Sequence, residues 1–315
     1  MRTIDPVLGT MNFGPQINCD DSVSMVDLFL QSGYREVDTA YVYNNGDSER
    51  FLAEALKKGR VDTPIVATKV NPRVTGKLDE TAVRFQLEES LTRMQLSRVD
   101  ILYLHFPDPT TPVNETLECL SALHQEGLFG ELGVSNYASW QVVDIVHRCR
   151  SNGWLQPTIY QGLYNALSRG VEDELIPALR EFGIRFYAYN PLAGGILSGR
   201  YSDLQNVAEG RFTVRPNYQT RYWKKEFFEG LEDIKLACNE CSVGMVESAF
   251  RWLIHSSKLD SSAGDRVIIG ASSESQLREN LSFFKHGALE QRVIGAFDSA
   301  WRRAKPEAPQ YFRTV

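Results

Sequence analysis

The sequence lacks a long apolar run and lacks an excess of positive charge. No run approaches the roughly 18 to 20 consecutive apolar residues that a transmembrane helix needs. The 34 Lys and Arg residues are outnumbered by 40 Asp and Glu residues, which gives a formal net charge of -6. Basic residues are scattered rather than clustered. We therefore expect neither a nucleic acid nor a membrane as the main partner.

Cysteine is scarce, and its number is odd. Five cysteines in 315 residues are typical of free thiols in a reducing compartment, so we expect a cytoplasmic protein. His, Cys and Asp do not recur at the spacing of a metal site, and we expect no metal. A Gly-rich phosphate turn is also missing, because the nearest segment, GTMNFG, does not fit GxGxxG. This absence argues against a doubly wound open sheet.

Short runs rich in Val, Ile, Tyr and Phe alternate with segments of helical spacing. One such segment is Asp79–Met94, in which Val83, Leu87, Leu91 and Met94 fall on one face. The early runs start roughly 30 residues apart, the length of a βα unit. The eight predicted strands are Pro6–Met11, Tyr34–Asp38, Ile65–Val70, Val99–Phe106, Glu131–Ser135, Thr158–Tyr164, Arg185–Pro191 and Val267–Ala271.

Eight alternating strands and helices predict an α/β fold of the closed (β/α)8 TIM-barrel type. With 43% hydrophobic residues, one barrel can absorb the whole length, so we predict a single domain over 1–315. A long polar stretch after the seventh strand, Gly194–Lys225, is predicted to be a functional loop. An extra helix and a tail are expected beyond Glu290.

Polar or aromatic groups stand at the ends of six predicted strands. In a barrel of parallel strands, these ends meet at one face, where reactive groups lie. The residues are Asp38, Lys69, His105, Ser135 with Asn136, Gln161 and Tyr189. A lone His or Lys at such a place is more often structural, and the joint pattern is what favours a site.

Three of these residues, Asp38, Lys69 and His105, together with Tyr43 predict a general-acid site for a carbonyl. Tyr43 shares a βα loop with Asp38, and Lys69 belongs to the neighbouring strand. A tyrosine hydroxyl with a free pKa near 10 is a poor acid at neutral pH, and a buried ammonium favours its phenolate form. Asp38 can balance Lys69, and His105 can donate to the carbonyl oxygen. Because the set contains no nucleophile with its base, we expect a hydride from a nicotinamide to attack the carbon.

Several motifs resemble those of the aldo-keto reductases. They are DTAYVYNNGDSE (Asp38–Glu49), ATK (Ala67–Lys69), LYLHFPD (Leu102–Asp108), GVSNY (Gly133–Tyr137), YQGLYN (Tyr160–Asn165), YNPLAGGILSGRY (Tyr189–Tyr201) and IGASSESQLREN (Ile269–Asn280). In detail the chain looks most like the aflatoxin-aldehyde / succinic-semialdehyde reductase branch. The resemblance covers nearly the whole chain, in order.

The resemblance implies a role for each residue of the site. Asp38, Tyr43, Lys69 and His105 match the family's catalytic tetrad, with Tyr43 as proton donor. The cofactor would be NADP(H), with NAD(H) less favoured. The implied cofactor-binding residues are Asp38, Ser135, Asn136, Gln161, Tyr189, Asn190, Pro191, Leu192, Gly194, Gly195, Leu197, Gly199, Arg200, Arg211, Gly270, Ser272, Ser273, Gln276, Glu279 and Asn280.

The sequence departs from commoner aldo-keto reductases at two places. Asn44, rather than Gly, follows Tyr43, and Gly270, Ala271 and Gln276 replace a Lys-Ser…Arg grip on the 2′-phosphate. The nearer branch also lacks that Lys and still prefers NADPH, so we keep NADPH as the expectation. Arg278 and the serines at 272, 273 and 275 are other candidates for the phosphate.

The resemblance also implies substrate contacts and an assembly. The candidate substrate residues are Met11, His105, Tyr218, Arg221 and Tyr222. Phe106, Trp223 and Arg313 are further candidates for the mouth, with simple packing as the alternative. An Arg there suits an acidic or oxygen-rich aldehyde, with a solvated basic loop as the alternative interpretation. The branch forms dimers, so a homodimer is expected.

Two other functions stay open at this point. One is a non-catalytic, cofactor-sensing regulatory subunit, since channel β subunits of the same superfamily keep a tetrad. The other is a tailoring reductase that acts on one large product of a natural-product pathway.

Overall fold

The computed structural model describes residues 4–59, 64–201, 204, 212 and 216–313, with the side chains of 216 and 217 excepted. Eight parallel strands close into a barrel in which each strand pairs with the next and β8 pairs with β1. The strands are β1 Asp5–Gly9, β2 Glu36–Asp38, β3 Ile65–Val70, β4 Val99–Leu104, β5 Phe129–Ser135, β6 Pro157–Leu163, β7 Arg185–Tyr189 and β8 Arg266–Ile269. The predicted (β/α)8 barrel is confirmed.

Helices follow the strands and cover the outside of the barrel. They are α1 Cys19–Gln31, α2 Asp47–Lys58, α3 Pro72–Thr75, α4 Glu80–Met94, α5 Val113–Gln125, α6 Ser139–Asn152, α7 Leu175–Glu181, α8 Pro216–Tyr222, α9 Lys225–Glu240, α10 Met245–His255, α11 Glu274–Phe283 and α12 Gln291–Ala304. Turns of 3₁₀ helix lie at Tyr43–Gly46, Ala193–Ser198 and Lys305–Glu307.

Helix α4 illustrates how the local sequence sets an element. The side chain of Asp79 accepts a hydrogen bond from the amide of Ala82 and caps the first turn. Val83, Leu87, Leu91 and Met94 are all buried on the inner face, as their spacing predicts.

The barrel interior is filled by alternate residues of the strands. Its apolar part consists of Val7, Ala67, Ile101, Tyr103, Ile159, Tyr187 and Ile268. Gly133 of β5 makes room for one of them, since a Cβ at that position would collide with the ring of Tyr103. A filled interior confines the space for a ligand to the ends of the barrel.

The stretch after β7 is less loop-like than we expected. Within the described part of Gly194–Lys225, the chain forms most of a 3₁₀ turn and the helix α8. The extra C-terminal helix is confirmed as α12, which packs on α9. The tail then returns to the carboxyl end of the barrel, where the amide of Arg313 donates to the carbonyl of Asn136 at 2.9 Å. In the described residues, no helix is both long and apolar enough to cross a membrane.

Candidate active site

A cleft of about 570 Å³ opens at the carboxyl ends of the strands. Most of the predicted site residues line it. They are Met11, Asp38, Tyr43, His105, Ser135, Asn136, Gln161, Tyr189, Asn190, Pro191, Leu192, Gly194, Gly195, Arg200, Tyr218, Arg221, Gly270, Ser272 and Gln276. The strand ends therefore converge on one cavity, as expected for the fold.

A fully buried ion pair forms the floor of the cleft. Lys69 has no exposed surface, and its Nζ donates to Asp38 Oδ1 at 2.6 Å and to the carbonyl of Thr39 at 2.5 Å. The second carboxylate oxygen of Asp38 accepts from Gln161 Nε2 at 2.8 Å. Burial lowers the pKa of Lys69, and the charge of Asp38 opposes that shift. The pair thus places a balanced cation directly beneath the cavity.

Tyr43 lies above this pair at the start of its 3₁₀ turn. The ammonium of Lys69 is 5.3 Å from the centroid of the Tyr43 ring. The turn is held by Asn44, whose backbone is left-handed (φ 50°). Its side-chain Nδ2 donates to the carbonyls of Met11 and Phe13 at 2.8 and 2.6 Å. The departure at Asn44 therefore anchors the tyrosine turn to the loop after β1.

His105 forms the side of the cleft next to Tyr43. The two rings meet edge to face, with centroids 5.9 Å apart. Burial holds the pKa of His105 well below its ordinary value, and the charges of Lys69 and Arg73 lower it further. The imidazole is therefore neutral at neutral pH and can donate one hydrogen bond.

Ser135 and Asn136 join the ends of three strands. Asn136 takes a left-handed conformation (φ 64°) and donates through Nδ2 to the carbonyl of His105 at 2.9 Å and to Ser135 Oγ at 3.0 Å. Its Oδ1 accepts from the hydroxyl of Tyr189 at 2.8 Å. With Gln161, these side chains present both donors and acceptors, which suits a primary amide.

The segment after β7 bends sharply along the cleft. Asn190 is left-handed (φ 64°), and its Oδ1 accepts from the amide of Gly194 at 2.6 Å. Its Nδ2 donates to the hydroxyl of Tyr222 at 2.8 Å. Gly195 has φ 104° and open space where a Cβ would stand. A ligand can therefore approach the backbone closely here.

The far end of the cleft is formed by the loop from β8 into α11. Gln276 Oε1 accepts from the amide and hydroxyl of Ser272 at 2.7 and 2.9 Å. Behind this loop, Asn280 is buried, and within the described part of the chain neither its Nδ2 nor its Oδ1 has a hydrogen-bond partner. A buried amide without partners is costly, so Asn280 points to a polar ligand group at this end.

These features together fit a dinucleotide. The amide-matching set and the Tyr189 ring lie beside the ion pair, the open glycine backbone lies midway, and Ser272 and Gln276 lie at the N-terminus of α11 at the far end. Among the described residues, no three His, Cys, Asp or Glu side chains come together to hold a metal.

Some predicted contacts do not reach the cleft. Leu197, within the turn Ala193–Ser198, and Tyr222, which accepts from Asn190, have no exposed surface and lie outside the lining. The prediction that these two residues contact a ligand directly is therefore corrected: they support the cleft wall from behind. Gly199, Ser273, Glu279 and Asn280 also lie outside the lining in the described chain, Lys69 is its floor, and Arg211 lies outside the described residues.

The cleft contains residues that sequence reasoning missed. Asn12 and Gln16, in the loop after β1, line it, and Asn12 Nδ2 donates to the carbonyl of Ala271 at 2.9 Å. Gly9, Tyr201 and Ile268 line it as well. The only signal in the sequence is that Asn12 and Gln16 follow a strand end. Phe106 and Arg313 line the mouth, whereas Trp223 instead packs against Tyr201, Phe212 and Phe228.

Comparison with known proteins agrees with this geometry. Residues 7–302 match the sequence profile described as the Aldo/keto reductase family. The aldo-keto reductase family 7 member A3 of Homo sapiens is 46% identical over 98% of this chain and 96% of its own length. Aflatoxin B1 aldehyde reductase member 2 of Rattus norvegicus is 47% identical over 98% of the chain and 87% of its own length. The aldo-keto reductase pigE of Monascus ruber is 33% identical over 93% and 90%.

Proposed function

The chain belongs to the aldo/keto reductase family and is an oxidoreductase that acts on carbonyl groups. From this premise we propose that it reduces an aldehyde or ketone to the alcohol with NADPH, and that Tyr43 is the proton donor. The observation that carries the proposal is the stack of three groups at the cleft floor. The buried Lys69–Asp38 pair lies beneath the Tyr43 ring, and neutral His105 lies beside it.

In the proposed reaction, Tyr43, Lys69, Asp38 and His105 control the transfer of a proton to the carbonyl oxygen. His105 donates a hydrogen bond to the carbonyl oxygen and orients it towards Tyr43. A nicotinamide held by Ser135, Asn136 and Gln161 would supply a hydride for the carbonyl carbon. The Tyr43 hydroxyl gives its proton to the oxygen, and Lys69 stabilises the phenolate that remains. Asp38 keeps the Lys69 charge tolerable inside the barrel. Solvent then returns a proton to Tyr43.

The cofactor contacts extend along the cleft. Ser135, Asn136 and Gln161 would hold the carboxamide, Tyr189 would stack on the ring, and Gly194 with Gly195 would admit the phosphates. For the adenosine end we propose Gly270, Ser272, Ser273, Gln276 and Asn280. We favour NADPH because Arg278 and the serine hydroxyls stand at that end, although Arg278 also pairs with Glu274 at 2.7 Å.

For the substrate we propose an acidic or oxygen-rich aldehyde. Arg221 and Arg313 both line the cleft, and the charge of Arg221 acts on the Tyr189 hydroxyl. A guanidinium at this place suits a carboxylate. The relatives named aflatoxin B1 aldehyde reductase add dialdehydes to the panel worth testing.

The proposal extends to the protein's location and assembly. All five cysteines are free thiols, which supports a cytoplasmic site of action. The branch resemblance extends the proposal to a homodimer, and sedimentation velocity of the full chain would measure it.

The Tyr43→Phe variant tests the proposed mechanism. We expect turnover of 4-nitrobenzaldehyde, followed by loss of NADPH absorbance at 340 nm, to fall at least about 1,000-fold. Cofactor binding, followed by protein fluorescence, should survive. Tyr41→Phe is the matched control, because Tyr41 lies on the same loop with its ring against Arg93, and it should keep wild-type turnover.

The result also separates the alternatives. Wild-type turnover in Tyr43→Phe would remove Tyr43 as the proton donor. Tight NADPH binding by the wild type with no turnover across an aldehyde panel would favour a regulatory subunit. Activity on one bulky carbonyl alone would favour a tailoring reductase.

A further inference from the structure

His105 has a partner that does not reach the cleft. Its Nδ1 lies 3.2 Å from the side-chain nitrogen of Asn71, which is the first residue after β3 and is 2% exposed. Asn71 is outside the lining of the cavity in the described chain and is almost completely buried, so we place it behind His105 rather than among the groups that face a substrate. Its contact with the ring nitrogen nevertheless bears on which nitrogen of His105 carries the hydrogen.

The orientation of the Asn71 amide is fixed by its other contact. Asn71 caps α3, and its Oδ1 accepts from the amide of Arg73 at 2.9 Å. The oxygen is therefore committed to the helix, and the NH₂ group is the one that faces His105. Because an amide nitrogen can only donate, Nδ1 of His105 must be the acceptor.

The backbone of Asn71 is held as firmly as its side chain. Gln86 of α4 accepts from the Asn71 amide at 2.8 Å and donates to the Asn71 carbonyl at 3.2 Å. Gln86 has no exposed surface. A helix on the outside of the barrel thus sets the position of the group that faces the imidazole.

The ring plane of His105 is set by its neighbours. Phe106 stacks on it with centroids 4.8 Å apart, and the guanidinium of Arg73 covers Phe106 at 4.4 Å. The charged and titratable groups around it are Lys69 from β3, Arg73 from α3 and Tyr43 from its turn. Both cations disfavour an imidazolium, which would have a hydrogen on each nitrogen.

We propose that Asn71 is a positioning residue that fixes His105 in the tautomer with hydrogen on Nε2, so that its one ring hydrogen is presented to the substrate oxygen. The consequence for the carbonyl rests on the function proposed above, whereas the tautomer itself does not. With hydrogen on Nδ1 instead, Nε2 would turn a lone pair towards the carbonyl oxygen and repel it.

Nitrogen NMR of the histidine rings tests the tautomer without any turnover. The full chain, labelled with ¹⁵N-histidine, has five histidines, and His105→Gln identifies the His105 signals. We expect Nδ1 to be of the unprotonated type and Nε2 of the protonated type from pH 6 to 9. A protonated Nδ1 in the wild type would overturn the proposal, even if the enzyme reduces carbonyls as proposed.

The Asn71→Asp variant reverses the contact. Aspartate has the same shape and still caps α3, but its carboxylate accepts, so hydrogen should move to Nδ1 and the pKa of His105 should rise. We expect kcat/KM above that pKa to fall on the order of 100-fold, the cost of losing one donor to the oxyanion. Activity should recover at lower pH, where an imidazolium again has hydrogen on Nε2.

Asn71→Ser is the matched control for the helix cap. Serine keeps a capping oxygen but offers no amide, so both tautomers should appear and the acid-side recovery should be absent. Circular dichroism reports whether the variants fold. If Asn71→Asp leaves both the ring-nitrogen pattern and the pH profile unchanged, Asn71 does not control His105. A loss of activity without acid-side recovery would assign Asn71 a packing role only.

Discussion

Lys69 owes its place inside the barrel to a single carboxylate. Its side chain has no exposed surface, and its ammonium donates to Asp38 Oδ1 at 2.6 Å. Removing one partner of such a pair strands the other charge, which costs more than the pair contributes. A buried pair is weak evidence for stability, and the function proposed above gives this one a role in the chemistry at Tyr43.

Glu36 is a second buried carboxyl in the barrel, at the opposite end from the cleft. Burial raises its pKa to about 7, although Arg266 at 3.0 Å and the hydroxyl of Tyr187 at 3.2 Å both act to lower it. Between pH 4.5 and 7, the folded protein therefore holds a proton at Glu36 that the unfolded chain has lost. The free energy of unfolding must fall as the pH rises through this window.

Glu36→Gln removes that dependence, because glutamine is neutral throughout. Relative to wild type, the variant should gain about 2 to 3 kcal/mol of unfolding free energy at pH 8 compared with pH 5. Urea denaturation at the two pH values measures it. Glu54→Gln, on the outer face of α2, is the control, and it should not change the difference. An equal effect of Glu36→Gln at both pH values would show that Glu36 ionises in its ordinary range.

At the scale of elements, α8 contributes Tyr218 and Arg221 to the cleft wall and supports the neighbouring turn through its last residue. Its last residue, Tyr222, accepts from Asn190 at 2.8 Å and lies 3.4 Å from Asn165 and Ser168. Asn190 in turn fixes the amide of Gly194. The turn that we assign to the phosphates is thereby held from behind by a helix.

Tyr222→Phe should loosen that turn. Loss of one buried hydrogen-bond acceptor costs about 1 to 2 kcal/mol, so the Kd for NADPH should rise roughly 5- to 30-fold. The pH profile of kcat should keep its shape, since Tyr43 and Lys69 are untouched. Fluorescence titration gives the Kd, with Tyr34→Phe, remote from the cleft, as the control. A Kd within twofold of wild type would contradict this supporting role.

The elements were the part of the fold most accessible from the sequence. All eight strands were predicted within a few residues, because buried parallel strands are short apolar runs bounded by turn residues. The helical segment predicted at Asp79–Met94 agrees with α4 to within one residue. Boundaries were less accurate: β2 begins at Glu36 rather than at Tyr34. Its end was correct, and the ends are what bring the tetrad together.

What lies behind a wall could not be predicted. Leu197 and Tyr222 belong to motifs that run along the cleft, yet their side chains turn into the core. Asn71 and Gln86 resemble an ordinary cap and an ordinary helix residue, because their partners are distant in sequence. Asn12 needed the pairing of β1 with β8 before its contact to Ala271 was evident. The direction in which a side chain points, and its contacts with residues distant in sequence, are set only when the barrel is assembled.

At the scale of the whole molecule, the two ends of the barrel have different chemistry. At the amino ends of the strands, ion pairs close the barrel, Arg266 with Glu36 and Arg185 with Glu131. At the carboxyl ends, amides and the side chains of Asp38, Tyr43 and His105 face the cavity. The apolar layer around Tyr103 and Ile101 lies between Glu36 and the cleft. We therefore expect the titration of Glu36 to change the free energy of unfolding.

The charge of the molecule also contrasts with that of its cleft. The chain is acidic overall, with net charge -6, while Arg221 and Arg313 line the mouth. In the described part of the chain, neither forms an ion pair with a carboxylate of the protein. Cations in a concave site of low dielectric attract anions and raise their rate of association.

Arg221→Gln should therefore discriminate between substrates by charge. With 4-carboxybenzaldehyde, we expect kcat/KM to fall about 10- to 100-fold, mostly through KM, whereas 4-nitrobenzaldehyde should change less than about threefold. Added salt should lower the wild-type kcat/KM only for the carboxylate. Arg302→Gln, on the exposed side of α12, is the charge control. Equal losses with both aldehydes would mean that Arg221 shapes the mouth, and then the proposal of an acidic substrate fails while that of carbonyl reduction stands.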